Sequence, residues 1–181
     1  MSEIIPAILA KDSADLERKI KEVPEELNFA HIDVLSEDVW VQNNLEFEAH
    51  LMVESPEEIF ERWKARGAKR IIVHRHVESM TGVELGLGLE IHVPINTITP
   101  LIKKIDFVHL MSIAEIGEQG HPLDERIFDR IKEVKEKFPG LPISVDGGIN
   151  LSNYKKLEAT GADRLVVGSS FKELWTYLTK K

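Results

Sequence analysis

The chain has no cysteine among its 181 residues. That excludes a disulfide framework and any thiolate chemistry, and it fits a reducing compartment. Nor is there an apolar run approaching the roughly 18 to 20 residues a membrane-spanning helix needs. The opening residues Met1-Ser2-Glu3-Ile4-Ile5-Pro6 have neither the basic nor the apolar stretch of a secretory leader. A cytoplasmic protein with no membrane partner is the expectation. Positive charge is also in short supply: 23 Lys and Arg face 31 Asp and Glu, a net charge of −8. Nucleic-acid binding normally needs a basic face, and the most basic stretch, Lys64 to Arg75, is interrupted by apolar Ile71-Ile72-Val73. Nucleic acid is therefore excluded as a partner.

What remains is the composition of a globular protein, 43% hydrophobic and 30% charged. The length suits one domain over residues 1–181, with a sizeable core. No internal repeat or low-complexity segment divides it. Short apolar runs predict strands at Ile4–Leu9, Phe29–Leu35, Glu48–Val53, Arg70–His74, Leu85–Val93, Phe107–Ile113, Ile143–Val145 and Leu165–Val167. Helical spacing predicts helices after Asp12 or Ser13, after Ser55-Pro56, over Thr97–Ile105, over Leu123–Phe138, from Ser152 to Leu157 and over Phe171–Leu178. Ser55 is expected to cap its helix, and Gly67 and Gly161 to end theirs. The strands are apolar throughout more than they alternate, as expected when both faces are covered.

Eight strands interleaved with helices indicate a parallel α/β architecture, a (β/α)8 TIM barrel. Such barrels typically take about 250 residues. The shortfall can be located. Ser36–Phe47 and Val77–Glu84 are each too short for a loop and a normal helix. The barrel is therefore expected to be compact, with helices reduced or missing after strands 2 and 4.

Three strands carry residues that do not belong on buried apolar strands. They are His31 and Asp33, His50, and Asp146. Burying an unpaired charge is costly, so each needs a partner. Alternation along a strand puts His31 and Asp33 on the same side. A divalent cation would satisfy all four residues at once.

Read in order, these motifs resemble the ribulose-phosphate 3-epimerase family. Ile5-Pro6-Ala7-Ile8-Leu9 is similar to its opening strand and His31-Ile32-Asp33-Val34-Leu35 to its second-strand metal motif. Trp40-Val41-Gln42-Asn43 echoes the next loop, and Ala49-His50-Leu51-Met52-Val53 the third strand. Met111-Ser112, Val145-Asp146-Gly147-Gly148-Ile149 and Val167-Gly168-Ser169-Ser170-Phe171 match strands six to eight. The resemblance implies metal-dependent epimerisation of a pentulose 5-phosphate, D-ribulose 5-phosphate to D-xylulose 5-phosphate, by two-base proton transfer through an enediolate. It implies that Asp33 and Asp146 are the acid/base pair. It makes His31, Asp33, His50 and Asp146 the ligands of Zn²⁺ or Fe²⁺, with Mn²⁺ or Co²⁺ as alternatives. It places the substrate phosphate on Gly147, Gly148, Gly168 and Ser169, with Met52 and Met111 beside the reaction centre.

The chain departs from the family in places. Ala7 stands where the family has serine, and Leu35-Ser36-Glu37 replaces Met-Asp-Gly. The loop after strand six reads Ala114-Glu115-Ile116-Gly117-Glu118-Gln119-Gly120, which adds acidic residues near the phosphate. Two other readings follow from these departures. One is a related barrel isomerase or lyase acting on another sugar phosphate. The other is a non-catalytic phosphometabolite-binding protein.

His109 precedes Met111 by two, as His50 precedes Met52, so it is expected to face inward. It either touches substrate or metal, or is a hydrogen-bonded core histidine. His74 matches a family position, His76 and His92 are expected to be loop polars at the barrel mouth, and His121 to be solvated. Trp40, with Val39 and Val41, either covers the barrel wall or makes a subunit contact. The two stripped segments predict a homo-oligomer.

Overall fold

The computed structural model describes residues 1–35, 38–75 and 80–180. Ser36, Glu37 and His76 lie outside the described residues. In chain order the elements are β1 (Glu3–Leu9), α1 (Ser13–Ile20), β2 (Phe29–Val34), β3 (Glu46–Leu51), α2 (Pro56–Ala65), β4 (Arg70–Val73) and β5 (Glu84–Leu89). A 3-10 helix (Ile95–Leu101), β6 (Phe107–Met111), α3 (Arg126–Lys137), β7 (Ile143–Asp146), α4 (Tyr154–Thr160), β8 (Arg164–Val167) and α5 (Phe171–Thr179) follow. Each strand pairs in parallel with its neighbour, and β8 closes on β1 from Glu3 opposite Arg164 to Pro6 opposite Val167. The fold is a closed (β/α)8 TIM barrel.

Local chemistry accounts for most element ends. Asp12 caps α1 by accepting from the Asp15 amide at 2.8 Å. In α3, Ile127, Phe128, Ile131 and Val134 recur on one face and are buried against the barrel. Gly161 ends α4 in the left-handed region, at φ +114°. Ser55 stands where expected before Pro56, but its side chain makes no capping bond.

The strand around Gly86 and Gly88 is shorter than its apolar run suggests, because Val93 N–H turns back to the Glu90 carbonyl. Its glycines are not weak points. A Cβ at Gly86 would lie 2.4 Å from the Phe107 ring, and one at Gly88 would lie 2.9 Å from the His74 ring. Each glycine makes room for a side chain from a neighbouring strand or strand end.

No helix forms among the described residues between β2 and β3, or between β4 and β5. In the first gap Trp40 lies with its ring 5.1 Å from Phe47 and 5.4 Å from Trp63. The Arg66 guanidinium sits over Trp40 and Trp63, at 5.2 and 4.7 Å. Val39, Val41 and Leu45 pack on Ile8, Leu16 and Ala30. An extended segment thus does the work of the missing helix, and Trp40 covers the barrel wall. In the second gap Met80 and Val83 pack against the β3–β4 side.

Apolar side chains fill the space between strands and helices, and the barrel interior mixes apolar Ile5, Ile72, Phe107 and Val166 with polar groups. His31, Glu48, His50, His109 and Ser144 are wholly buried there. At the N-terminal end of the strands, Arg70 donates to Glu48 (3.1 Å), Glu84 (3.3 Å) and Glu3 (3.3 Å). Arg164 donates to Glu84 at 2.7 Å. These ion pairs close the floor and leave the opposite end open. No helix among the described residues is long and apolar enough to cross a membrane.

Candidate active site

Strand register assembles the site. His50 on β3 lies opposite Asp33 on β2, and Glu48 lies opposite His31. On the other side of the barrel Met111 of β6 lies opposite Asp146 of β7, and His109 opposite Ser144. Since alternate residues share a face, these rows all point inward.

The four residues expected to bind metal converge. His31 Nε2 lies 3.2 Å from Asp33 Oδ1 and 3.2 Å from His50 Nδ1. His50 Nδ1 is 3.4 Å from Asp33 Oδ1. Asp146 Oδ2 stands 3.9 Å from both His31 Nε2 and His50 Nδ1. A further group joins them: His109 Nε2 is 3.4 Å from Asp146 Oδ2. One donor atom from each of His31, His50, His109 and Asp146 lies within 4.8 Å of the others. Ligands about 2.0–2.2 Å from a common ion stand about 3 to 4 Å apart, so the cluster has the spacing of a metal site. Imidazole nitrogens with carboxylate oxygens suit zinc, iron, manganese or cobalt.

The outer nitrogens support this arrangement. His31 Nδ1 meets Glu48 Oε1 at 2.8 Å, His50 Nε2 meets His74 Nε2 at 2.8 Å, and His109 Nδ1 meets Ser144 Oγ at 3.1 Å. Each contact leaves the other ring nitrogen facing the centre.

The buried charges of the cluster shift one another's proton affinities. Burial pulls the His31 pKa down, but hydrogen bonds to Asp33 and Glu48 more than reverse this and hold it well above the usual imidazole value. Burial pushes the His50 pKa down to about 4 despite the Asp33 hydrogen bond. Burial, with the charge of His31, takes that of His109 to about 3. The two aspartates diverge. Burial would raise Asp33, but hydrogen bonds from His31 and His50 hold it well below the carboxylate range. Burial lifts Asp146 to about 6, against the lowering charge of His31 and with the raising charge of Asp33. A bound cation would displace any proton from the donor atoms facing it, since metal ligands must be deprotonated.

Above the cluster is a cavity of about 230 Å³. Asp33 and Asp146 form part of its lining together with Met52, Met111, Gly147, Gly148, Gly168 and Ser169, while His31 and His50 lie beneath it and do not line it. Gly147 and Gly148 run at φ +112° and +65°. A Cβ at Gly148 would lie 2.3 Å from the Leu123 amide nitrogen, so glycine is required at this turn. Between Gly148 and α4 the chain makes an asparagine turn, with Asn153 donating to the Gly148 carbonyl at 2.9 Å. Ser170 directly precedes α5.

The loop after β6 forms the remaining wall through Gly117 to Pro122, with Gln119 lying against Gly168. His121, expected to be solvated, is instead one-third exposed, pairs with Glu118 at 3.0 Å and lines the cavity. His74 is adjacent to the cluster through His50, whereas His92 is 67% exposed and pairs with Glu90 at 3.3 Å. Sequence reasoning did not single out Glu48. The signal was present, since Glu48 stands two residues before His50 and alternation turns both inward.

Comparison with known proteins identifies the family. The model of the family described as ribulose-phosphate 3 epimerase matches residues 3–172. The chain is 29% identical over 200 residues to ribulose-phosphate 3-epimerase from Bacillus subtilis, covering 94% of this chain and 92% of that one. It is 24% identical over 197 residues to the enzyme of the same name from Schizosaccharomyces pombe, covering 93% and 86%. Among solved structures, the tryptophan synthase complex from Pyrococcus furiosus superposes with a TM-score of 0.67 at 16% identity, over 99% of this chain and 95% of that one. That likeness is one of fold. The chain belongs to the ribulose-phosphate 3-epimerase family and is an isomerase.

Proposed function

We propose that this protein interconverts D-ribulose 5-phosphate and D-xylulose 5-phosphate by moving the proton at C3. The carrying observation is that two carboxyl groups, Asp33 and Asp146, come from different sides of the barrel into one cavity with a glycine-lined rim. Epimerisation beside a ketone removes a proton from one face of the carbon and returns one to the other, and this needs two acid/base groups. Asp33 and Asp146 fill those roles. Backbone amides around Gly147, Gly148, Gly168 and Ser169 hold the phosphate, where glycine lets an anion approach the main chain. Met52 and Met111 give the reacting carbons an apolar boundary.

His31, Asp33, His50 and Asp146 would hold a divalent cation, Zn²⁺ or Fe²⁺ with Mn²⁺ or Co²⁺ as alternatives, which supplies Lewis acidity for the negative charge that develops in the enediolate. The residues keep that charge away from water: the three central histidines are wholly buried, and the two aspartates are 11% and 14% exposed. A soluble sugar phosphate fits a cytoplasmic enzyme.

The test is proton exchange. Metal-loaded protein mixed with D-ribulose 5-phosphate in D₂O should wash deuterium into C3, read by NMR. Absence of exchange would overturn the proposal. Asp33→Asn and Asp146→Asn should each lower turnover by at least about 100-fold with the circular dichroism spectrum unchanged.

The wall after β6 supports a second reading. Glu118, Gln119 and His121 line the cavity, and Ala7 brings no hydroxyl to it. These polar groups suit a related sugar phosphate as substrate for an isomerase or lyase. A panel of pentulose and hexulose phosphates, assayed by the same exchange, separates the readings.

A further inference from the structure

His109 is the unexplained member of the cluster. It is wholly buried at the centre of the barrel, on the strand that also carries Met111. Its ring stacks on His31, with centroids 5.4 Å apart and planes 13° apart, and meets His50 edge-on at 4.8 Å. The outer nitrogen is accounted for by Ser144 Oγ at 3.1 Å. The inner nitrogen lies a long 3.4 Å from Asp146 Oδ2 and within 4.8 Å of a donor nitrogen of His31 and of His50.

Three imidazoles packed this closely make a poor core in the absence of an ion. An apolar side chain at this position would fill the barrel without burying a polar nitrogen. The same outer-held, inner-facing arrangement is found at His31 and His50. We infer that His109 is a ligand of the same metal ion, in the group of His31, His50, His109 and Asp146 whose donor atoms lie within 4.8 Å of one another, with Asp33 against His31 and His50. The inference rests on the metal site proposed above and adds one donor to it. A nitrogen-richer set raises the coordination number offered by the protein and shifts the preferred ions toward those that bind imidazole strongly.

Cobalt(II) tests this without reference to turnover. Wild type should bind Co²⁺ in titration, and His109→Leu, which fills the same space, should bind it at least about 10-fold more weakly. The visible Co²⁺ absorption should intensify in the variant as a ligand is lost. Equal affinity with an unchanged spectrum would overturn the role of His109 while leaving the four-residue site standing. Wild type that binds no Co²⁺ would overturn the site itself. A second measurement needs no variant. The Co²⁺-loaded wild type in water should show three exchangeable, paramagnetically shifted imidazole N–H resonances, one per ligating histidine. Two such resonances would overturn the inference.

Discussion

His50 and His74 meet nitrogen to nitrogen, Nε2 to Nε2, at 2.8 Å. Two unprotonated nitrogens would repel at this distance, so one proton lies between them. If His50 carries it, as it must for Nδ1 to bind a cation, the hydrogen bond from His50 to Asp33 is given up and Nδ1 is left as a lone pair facing His31 and Asp33. His74 then acts as acceptor, as its pKa suggests: burial, reinforced by the charges of His50 and His109, pushes it down to about 3. The far nitrogen, His74 Nδ1, is buried, has no hydrogen-bond partner among the described residues and faces Glu90 Oε1 at 3.7 Å. His74→Leu removes the acceptor and frees His50 to turn. Zn²⁺ affinity, measured by competition with a chromogenic chelator, should fall about 10- to 100-fold. Unchanged affinity would show that His74 does not orient His50.

The metal-grade residues were legible in the sequence because they break a local rule: a histidine or aspartate on an apolar strand demands a partner, and alternation says which face it takes. Their mutual approach was not legible, because it depends on register between strands far apart in sequence. Asp146 of β7 comes within 3.9 Å of His31 and His50 on β2 and β3 only once β8 closes on β1. Gly86 and Gly88 show the same limit. Read locally they weaken a strand, yet the Phe107 and His74 rings claim their missing side chains. For Trp40 the sequence left two roles open, and the packing on Phe47 and Trp63 shows it covering the wall.

Glu48 does for His31 what His74 does for His50, with more at stake for the fold. It is wholly buried, accepts from His31 Nδ1 at 2.8 Å, and pairs with Arg70 at 3.1 Å. Burial would raise its pKa, but the His31 hydrogen bond and the charges of His31, His109 and Arg70 together outweigh this and bring it to about 2. Glu48→Gln keeps the shape but leaves Arg70 short of a charge, and it can present an amide N–H to His31. The variant should lose about 3 to 5 kcal/mol of stability in urea unfolding, as breaking a buried pair does. Its metal affinity should also drop about 10- to 100-fold. Glu48→Asp retains the carboxylate and should recover part of both. Equal affinity in the Gln variant would remove Glu48 from the metal-holding role.

The extended segment after β2 carries a pH-dependent clamp. Asp38 accepts from Arg66 at 2.6 and 3.1 Å and pairs with Arg62, and Arg66 lies over the two indoles. Burial raises the Asp38 pKa, but the two guanidiniums outweigh it and leave the folded value below the unfolded one. The contribution is therefore present above the unfolded pKa, about 4, and is lost as pH falls through the folded value. Solvent screens the pair, so Asp38→Asn should cost only about 0.5 to 1 kcal/mol at pH 7. Urea unfolding of wild type and variant should differ at pH 7, and the difference should shrink as pH falls from about 4 through the folded value. A constant difference across that range would show that charge is not what Asp38 contributes.

The turn at Gly148 joins fold to function. At φ +65°, with the Leu123 backbone 2.3 Å from where a Cβ would stand, the position rejects every other residue. Gly148→Ala imposes a left-handed cost of about 1 to 2 kcal/mol before the clash is counted. Relief requires the turn to move away from Leu123, and the backbone amides lining the cavity must move with it. For a chain of this size each kcal/mol lowers Tm by about 2 to 4 °C. The larger effect should be on the phosphate, with KM for D-ribulose 5-phosphate rising at least about 10-fold while Co²⁺ titrates as in wild type, because the cluster residues lie below the turn and keep their own contacts. If KM holds while Tm falls, Gly148 serves the barrel alone and the phosphate is anchored elsewhere on the rim.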